Sequence, residues 1–245
     1  MQIITTAIIK GGTGKTSTAA ALLQAAAHSG KRCLAIDLDP QSNLTFFLSA
    51  NQNQPGAFDV LQGQEVSEVI QSTAQNIDVI AGSPDLAAET THTGSAKRLA
   101  KALQPIKGNY DLIIIDTPPT MGELTFNALQ AATGLLIPLE ADNSSIQGLY
   151  QITDIAHQME KTNPDLQILG TVISRYDGRP KMNRFFMDAI AAAGSEAGAP
   201  FLKAIRQAIA VKEAQAMQKS LFDYAPRCKA AADYMDLYRM IEKEG

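Results

Sequence analysis

The chain predicts an α/β fold, a mostly parallel twisted sheet with helices on both faces. Three observations carry that expectation. Short apolar runs bounded by turn signals recur along the chain, with helical stretches between most of them. A glycine-rich segment joins the first run to an alanine-rich helical stretch. Carboxylates stand at the ends of later runs, at Asp37, Asp39 and Asp116, and ligands of an open parallel sheet gather beyond its carboxyl ends. With 245 residues, 45% hydrophobic and 19% charged, the chain is long enough for one large core, and a single domain over 1–245 is expected.

Residues 3–9 read as a short buried strand and residues 16–28, rich in alanine and leucine, as the helix after it. Further strands are expected at Cys33–Asp37, 77–80, 110–116, Gly134–Leu139 and 168–174. Helical periodicity marks 96–103, Glu123–Ala131, 145–160, 183–193 and 230–243. The polar stretch 51–56, Asn-Gln-Asn-Gln-Pro-Gly, breaks structure and reads as a surface loop, as do residues 88–95. Strands that alternate with helices imply crossovers, hence parallel pairing and a sheet covered on both sides.

The segment Lys10, Gly11, Gly12, Thr13, Gly14, Lys15, Thr16, Ser17 has the form of a phosphate-binding loop. The usual pattern, G-x-x-x-x-G-K-[ST], places a glycine five residues before Gly14, and Ile9 stands there instead. A triphosphate needs many donors at short range with few side chains in the way. Gly11, Gly12 and Gly14 allow successive N–H groups to turn inward, and the helix that opens beside them adds its positive end. In such a loop Lys15 neutralises the β and γ oxygens, Thr16 holds magnesium and Ser17 meets the α-phosphate. ATP and Mg2+ are the cofactors this predicts. Lys10 has no evident phosphate within its own chain, because Lys15 already serves that loop. It is either a solvated surface lysine or a group that crosses to the nucleotide of a second subunit and stabilises charge on the transferring phosphoryl group.

Four apolar residues from Leu112 to Ile115 end in Asp116, followed by the stiff turn Thr117, Pro118, Pro119. A buried strand that delivers a carboxylate to its tip suits a magnesium-site aspartate, and the segment to Gly122 then senses the γ-phosphate. The bland alternative is an aspartate that caps the next helix.

At Lys10 to Ser17 the sequence resembles the ParA/MinD group of deviant Walker A ATPases, a branch of the P-loop NTPase fold. Asp37, Leu38, Asp39, Pro40, Gln41, Ser42, Asn43, Leu44, Thr45 resemble the D-x-D-P-Q-x-N-x-T segment of ParA/Soj partition proteins. Phe58 to Leu61, Ile80 to Ser83, Asp116 to Pro119, Glu213-Ala214 and Tyr224 to Arg227 continue the likeness in order along nearly the whole chain. The resemblance implies that Asp39 aligns the attacking water, with Asp37 and Asp116 near the magnesium beside Thr16. The catalytic set it implies is Lys10, Lys15 and Asp39. It further implies slow, partner-stimulated hydrolysis, a homodimer in the ATP state that binds DNA without sequence preference, and release on hydrolysis.

Charge is unevenly spread. The formal net charge is −4, yet residues 171–230 hold ten Lys/Arg against five Asp/Glu. Within that basic stretch Lys203, Arg206 and Lys212 are the expected DNA contacts, the alternative being solvated charge on ordinary helices. The likeness weakens here, because the family's I-P-R-N-x-R appears as Ile205, Arg206, Gln207, Ala208, Ile209, Ala210. A ParB-like activator with a basic peptide is implied as second partner. No extension precedes the first strand, so no N-terminal helix-turn-helix domain is expected. With no signal peptide or run of spanning length, the expected location is cytoplasmic, nucleoid-associated when ATP is bound. Two rivals are disfavoured. A MinD-like membrane ATPase, or a relative that positions a protein cargo, stays the nearest alternative, but residues 234–245 carry three acids beside only Arg239 and Lys243. An iron–sulfur carrier needs cysteines after Asp116, and none follows in the switch.

Overall fold

The computed structural model of the chain describes residues 1–89 and 95–244. In order the elements are β1 (Gln2–Thr6), α1 (Lys15–His28), β2 (Cys33–Asp37), α2 (Asn43–Phe47), α3 (Ala57–Leu61), α4 (Val66–Val69), β3 (Ile70–Ser72), β4 (Asp78–Ile80), α5 (Arg98–Ala102), β5 (Leu112–Asp116), α6 (Glu123–Ala131), β6 (Gly134–Leu139), α7 (Asn143–Met159), β7 (Gln167–Tyr176), α8 (Lys181–Glu196), β8 (Phe201–Arg206), α9 (Ile209–Ala216), α10 (Leu221–Tyr224) and α11 (Lys229–Glu244). The strands form one sheet in the order β3-β4-β2-β5-β1-β6-β7-β8. Among the described residues only the β3–β4 pair is antiparallel. Among the described residues no helix is long and apolar enough to cross a membrane.

The central strands read as continuous apolar runs because both faces are covered. On β5, Ile114 packs with residues of α1 and α11, whereas Ile113 and Ile115 join Leu99 of α5 and Ala128 of α6. On β6, Leu135 and Ile137 meet Leu149 and Ile152 of α7 and Ile190 of α8. Successive side chains of a strand point to opposite faces, so one short apolar run feeds two cores. The expected α/β architecture, mostly parallel with helices on both sides, is the one observed.

Differences from the sequence expectation lie at the edges. The first strand ends at Thr6, and the last residues of the expected run lead into the loop. Neither β3 nor β8 was read from the sequence: β3 is three residues long and β8 carries Lys203 and Arg206 within a half-buried run. The loop expected over residues 88–95 falls mostly on residues 90–94, which lie outside the described residues together with His92. Asn51–Gly56 is loop, as expected.

Ile114 is fully buried between β1 and β2. Ile114→Ala should cost about 2–5 kcal/mol, the range for deleting a core aliphatic side chain, read as a lower urea midpoint at unchanged slope. A loss below about 1 kcal/mol would show that the two faces are not packed as described.

Candidate active site

The phosphate loop is built by what its residues lack. Gly14 has φ 87°, and a Cβ there would lie 2.8 Å from Ser174 Oγ and 2.9 Å from its Cβ, so both backbone angle and space demand glycine. Gly12 also has positive φ, 76°. Helix α1 opens at Lys15 with no side-chain cap and no acidic residue in its first turn. Its orphan N–H groups and positive end are therefore available to an anion. The Ser174 hydroxyl, at the end of β7, lies within hydrogen-bond distance of the Thr13 and Leu139 carbonyls and ties the loop to the neighbouring strands.

Lys15 is almost fully buried, and its ammonium donates to the Lys10 carbonyl at 3.0 Å. Burial lowers its pKa, while the Asp116 and Asp39 charges oppose that shift. Asp116 is wholly buried; Oδ1 accepts from the Thr6 hydroxyl at 3.1 Å, and Oδ2 has no hydrogen-bond partner among the described residues. Burial first and the Asp37 charge second push the Asp116 carboxyl up to about 7, against the Thr16 hydroxyl and the Lys15 ammonium. A buried carboxylate oxygen without a donor is costly. Beside the Thr16 hydroxyl it supplies the hard oxygen donors that magnesium prefers.

The two other aspartates divide their roles. Asp39 lines the cavity in front of the loop; its Oδ1 accepts from the Gln41 amide at 3.0 Å. Asp37 does not line that cavity. Its Oδ2 accepts from the Thr45 amide at 2.9 Å and hydroxyl at 2.8 Å, and its Oδ1 from the Asp39 amide at 3.1 Å. Asp116 does not line it either, and three accepted hydrogen bonds leave a carboxylate a free lone pair, so Asp37, paired in register with Asp116, stays a candidate beside the metal. Burial pushes its carboxyl up to about 6, against those hydrogen bonds.

Lys10 is absent from the lining of the cavity that its own loop forms. Its ammonium meets Asp142, which caps α7, with Ser145 Oγ at 3.4 Å and Glu140 at 3.8 Å. Burial acts against ionisation of Asp142, but the Lys10 ammonium and the Ser145 amide hold its carboxyl down to about 2. The cavity, about 390 Å³, runs from the loop residues Gly11, Gly12, Thr13, Gly14, Lys15, Thr16 and Ser17 past Asn43 and Phe47 to the β8–α9 turn.

That extension places the basic residues singled out in the sequence. Arg206 pairs with Asp233 at 2.6 Å, and Lys203 with Asp236 at 2.9 Å, so α11 neutralises both. Arg206 and Lys212 line the nucleotide cavity. Sequence reasoning missed this because β8 itself was missed. Arg175, counted only as one of the basic cluster, also lies on the cavity wall.

Fold and site together define a P-loop ATPase. Residues 1–168 match the AAA_31 family, described as an AAA domain. The chain is 32% identical to the sporulation initiation inhibitor protein Soj of Bacillus subtilis (strain 168) over 96% of each chain. It is 31% identical to the chromosome-partitioning ATPase Soj of Thermus thermophilus over 93% of this chain and 90% of that one. Among solved structures it is similar to cobyrinic acid a,c-diamide synthase of Mycobacterium smegmatis with bound ATP analog and magnesium, at TM-score 0.86 and 28% identity, covering 100% of this chain and 95% of that one. The chain belongs to the Soj/ParA family of chromosome-partitioning ATPases, with ATP as substrate and magnesium as cofactor.

The raised carboxyls of Asp37 and Asp116 set the sign of a pH effect. Between the unfolded value near 4 and their folded values the native state binds more protons, so stability falls as pH rises through that window. In EDTA, the melting temperature should rise as pH is lowered from about 8 to 6, by roughly 2–4 °C per kcal/mol for a chain of this size. Asp116→Asn should flatten that rise, and wild-type Mg·ADP binding should release protons, read from the buffer dependence of the calorimetric enthalpy. An unchanged pH profile in Asp116→Asn would remove Asp116 as the titrating group.

Proposed function

We propose that the chain is an ATP-driven positioning switch in which two copies close on two nucleotides, the closed dimer binds DNA non-specifically, and hydrolysis releases it. One observation carries this reading: the Lys10 ammonium lies outside its own loop's cavity, tethered to Asp142 and Glu140, while Lys15 serves the loop from within. A cation beside one phosphate site yet turned from it is placed to serve another. Closure then exchanges the carboxylates for the partner's outer phosphates, which ties catalysis to self-association.

Within each chain Lys15 binds the β and γ oxygens and Ser17 the α-phosphate, with the loop amides around them. Thr16 and Asp116, with Asp37 beside them, would hold magnesium, which would supply charge neutralisation on those oxygens. Asp39 orients the water: its Oδ1 is fixed by the Gln41 amide, and Asp37 fixes its backbone. Its role is alignment rather than strong basicity, so turnover is slow and suits a timed switch that a ParB-like activator accelerates.

DNA contacts fall to the basic stretch: Lys203, Arg206 and Lys212 stay candidates, and Lys181, Arg184, Lys212, Lys219, Arg227 and Lys229 are exposed and make no ion pair among the described residues. Phosphate neutralisation alone suffices for sequence-independent binding. The membrane alternative finds no support in α11, whose Tyr234, Leu237, Tyr238 and Ile241 are buried in the core. On this reading the matrix is the nucleoid, within the cytoplasm.

Lys10→Ala should abolish hydrolysis and weaken ATP-dependent dimerisation, measured by sedimentation, while nucleotide binding persists; unchanged turnover would dismiss the role across subunits. Asp39→Ala should trap the ATP dimer, and normal hydrolysis by that variant would remove Asp39 from the site. In gel shifts with ATP, affinity should fall steeply with salt, and Lys219→Ala with Arg227→Ala should lower the slope by about 1–2, at roughly 0.9 per phosphate contact. An identical slope would rule these residues out of the DNA surface.

A further inference from the structure

Strand β7 ends irregularly. Ile173 pairs with Ala204 and Tyr176 with Arg206, so β7 holds one more residue than β8 across this interval. Ser174 and Arg175 absorb the difference, and Arg175 takes a left-handed backbone with φ 52°. Left-handed angles are unfavourable for a residue with a Cβ, and bulges at sheet ends re-aim side chains beside active sites. The result here is specific: Ser174 reaches the Thr13 carbonyl, and the Arg175 guanidinium reaches the Gly12 carbonyl and the Glu140 carboxylate.

Both Arg175 contacts use Nη2. Its Nε and Nη1 hydrogens have no acceptor among the described residues, the side chain is 43% exposed, and the residue lines the nucleotide cavity. A guanidinium carries five N–H donors in a planar fork that matches carboxylate and phosphate alike. Lys15, which serves the β and γ oxygens in such a loop, donates to the Lys10 carbonyl. Lys10 and Gly12 belong to the same short loop, so the part of it that Lys15 reaches adjoins the part that Arg175 reaches.

We propose that Arg175 is a specificity-determining residue that distinguishes nucleoside triphosphate from diphosphate by binding the terminal phosphate, with Glu140 as the acceptor that competes for its guanidinium. The exchange trades one oxyanion for another and needs only a side-chain rotation. It rests on ATP as substrate and not on the role of Lys10 across subunits.

The test is equilibrium binding of fluorescent AMPPNP and ADP analogues to the full chain with magnesium. Arg175→Ala should weaken AMPPNP about tenfold, as expected for loss of a charge-assisted hydrogen bond, while ADP changes less than about threefold. Arg175→Lys should recover part of the loss, and Glu140→Gln should tighten AMPPNP about threefold by removing the competitor. A brace for the Gly12 carbonyl predicts otherwise: equal loss for both nucleotides in Arg175→Ala, or weaker AMPPNP binding in Glu140→Gln, would overturn the proposal. The same discrimination should persist in a Lys10→Ala background, which separates this proposal from the fate of the sandwich dimer. If Arg175→Ala melts early, the Arg175→Lys and Glu140→Gln titrations still decide the sign.

Discussion

The site depends on a contact that only a residue without a Cβ permits. At Gly14 the backbone comes against Ser174 so closely that any side chain would collide, and Ser174 meanwhile reaches the Thr13 and Leu139 carbonyls. The approach fixes the loop relative to β7, sets the start of α1 and brings the bulged tip of β7 alongside Gly12. The other functional groups take their places from this junction. Lys15 follows at the first helical position, and the β6–α7 turn brings Asp142 to Lys10 and Glu140 to Arg175.

Charge around the loop is organised as exchangeable pairs. Lys10, Glu140, Asp142 and Arg175 form a continuous chain of cations and carboxylates, half-exposed at the carboxyl ends of the strands. Beneath them Lys15, Asp116 and Asp37 are buried, where charge is costly. The upper layer satisfies itself in water and can trade partners at small cost. The lower layer is poised for a cation and a polyanion together, which is what magnesium and a triphosphate supply.

Much of this was legible in the sequence because the decisive residues are local. Gly11 to Ser17 announce their geometry by spacing, and Asp116 by the buried strand that carries it. The sheet centre was legible for the same reason: β2 and β6 begin and end where their apolar runs do. What was not legible is pairing across the chain. No local pattern tells that Thr45 and the Asp39 amide donate to the Asp37 carboxylate. Lys203 and Arg206 look like free basic charge until α11 folds Asp236 and Asp233 onto them. Those acids lie about thirty residues away in sequence, beyond any local pattern. Arg175 was hidden because its importance comes from a bulge, and registry is not written in composition.

The two rims of the sheet are closed in different ways, and this constrains how copies can meet. At one rim β3 is only three residues long and runs antiparallel to its neighbour. At the other, the Asp233 carboxylate accepts the Arg206 amide, and Lys203 sets a cation along β8. Short, charged or side-chain-capped margins offer poor templates for another strand. Amyloid-like stacking or filament growth through continuous sheets therefore finds little purchase here, and ordered assembly is left to surfaces made of loops and helices.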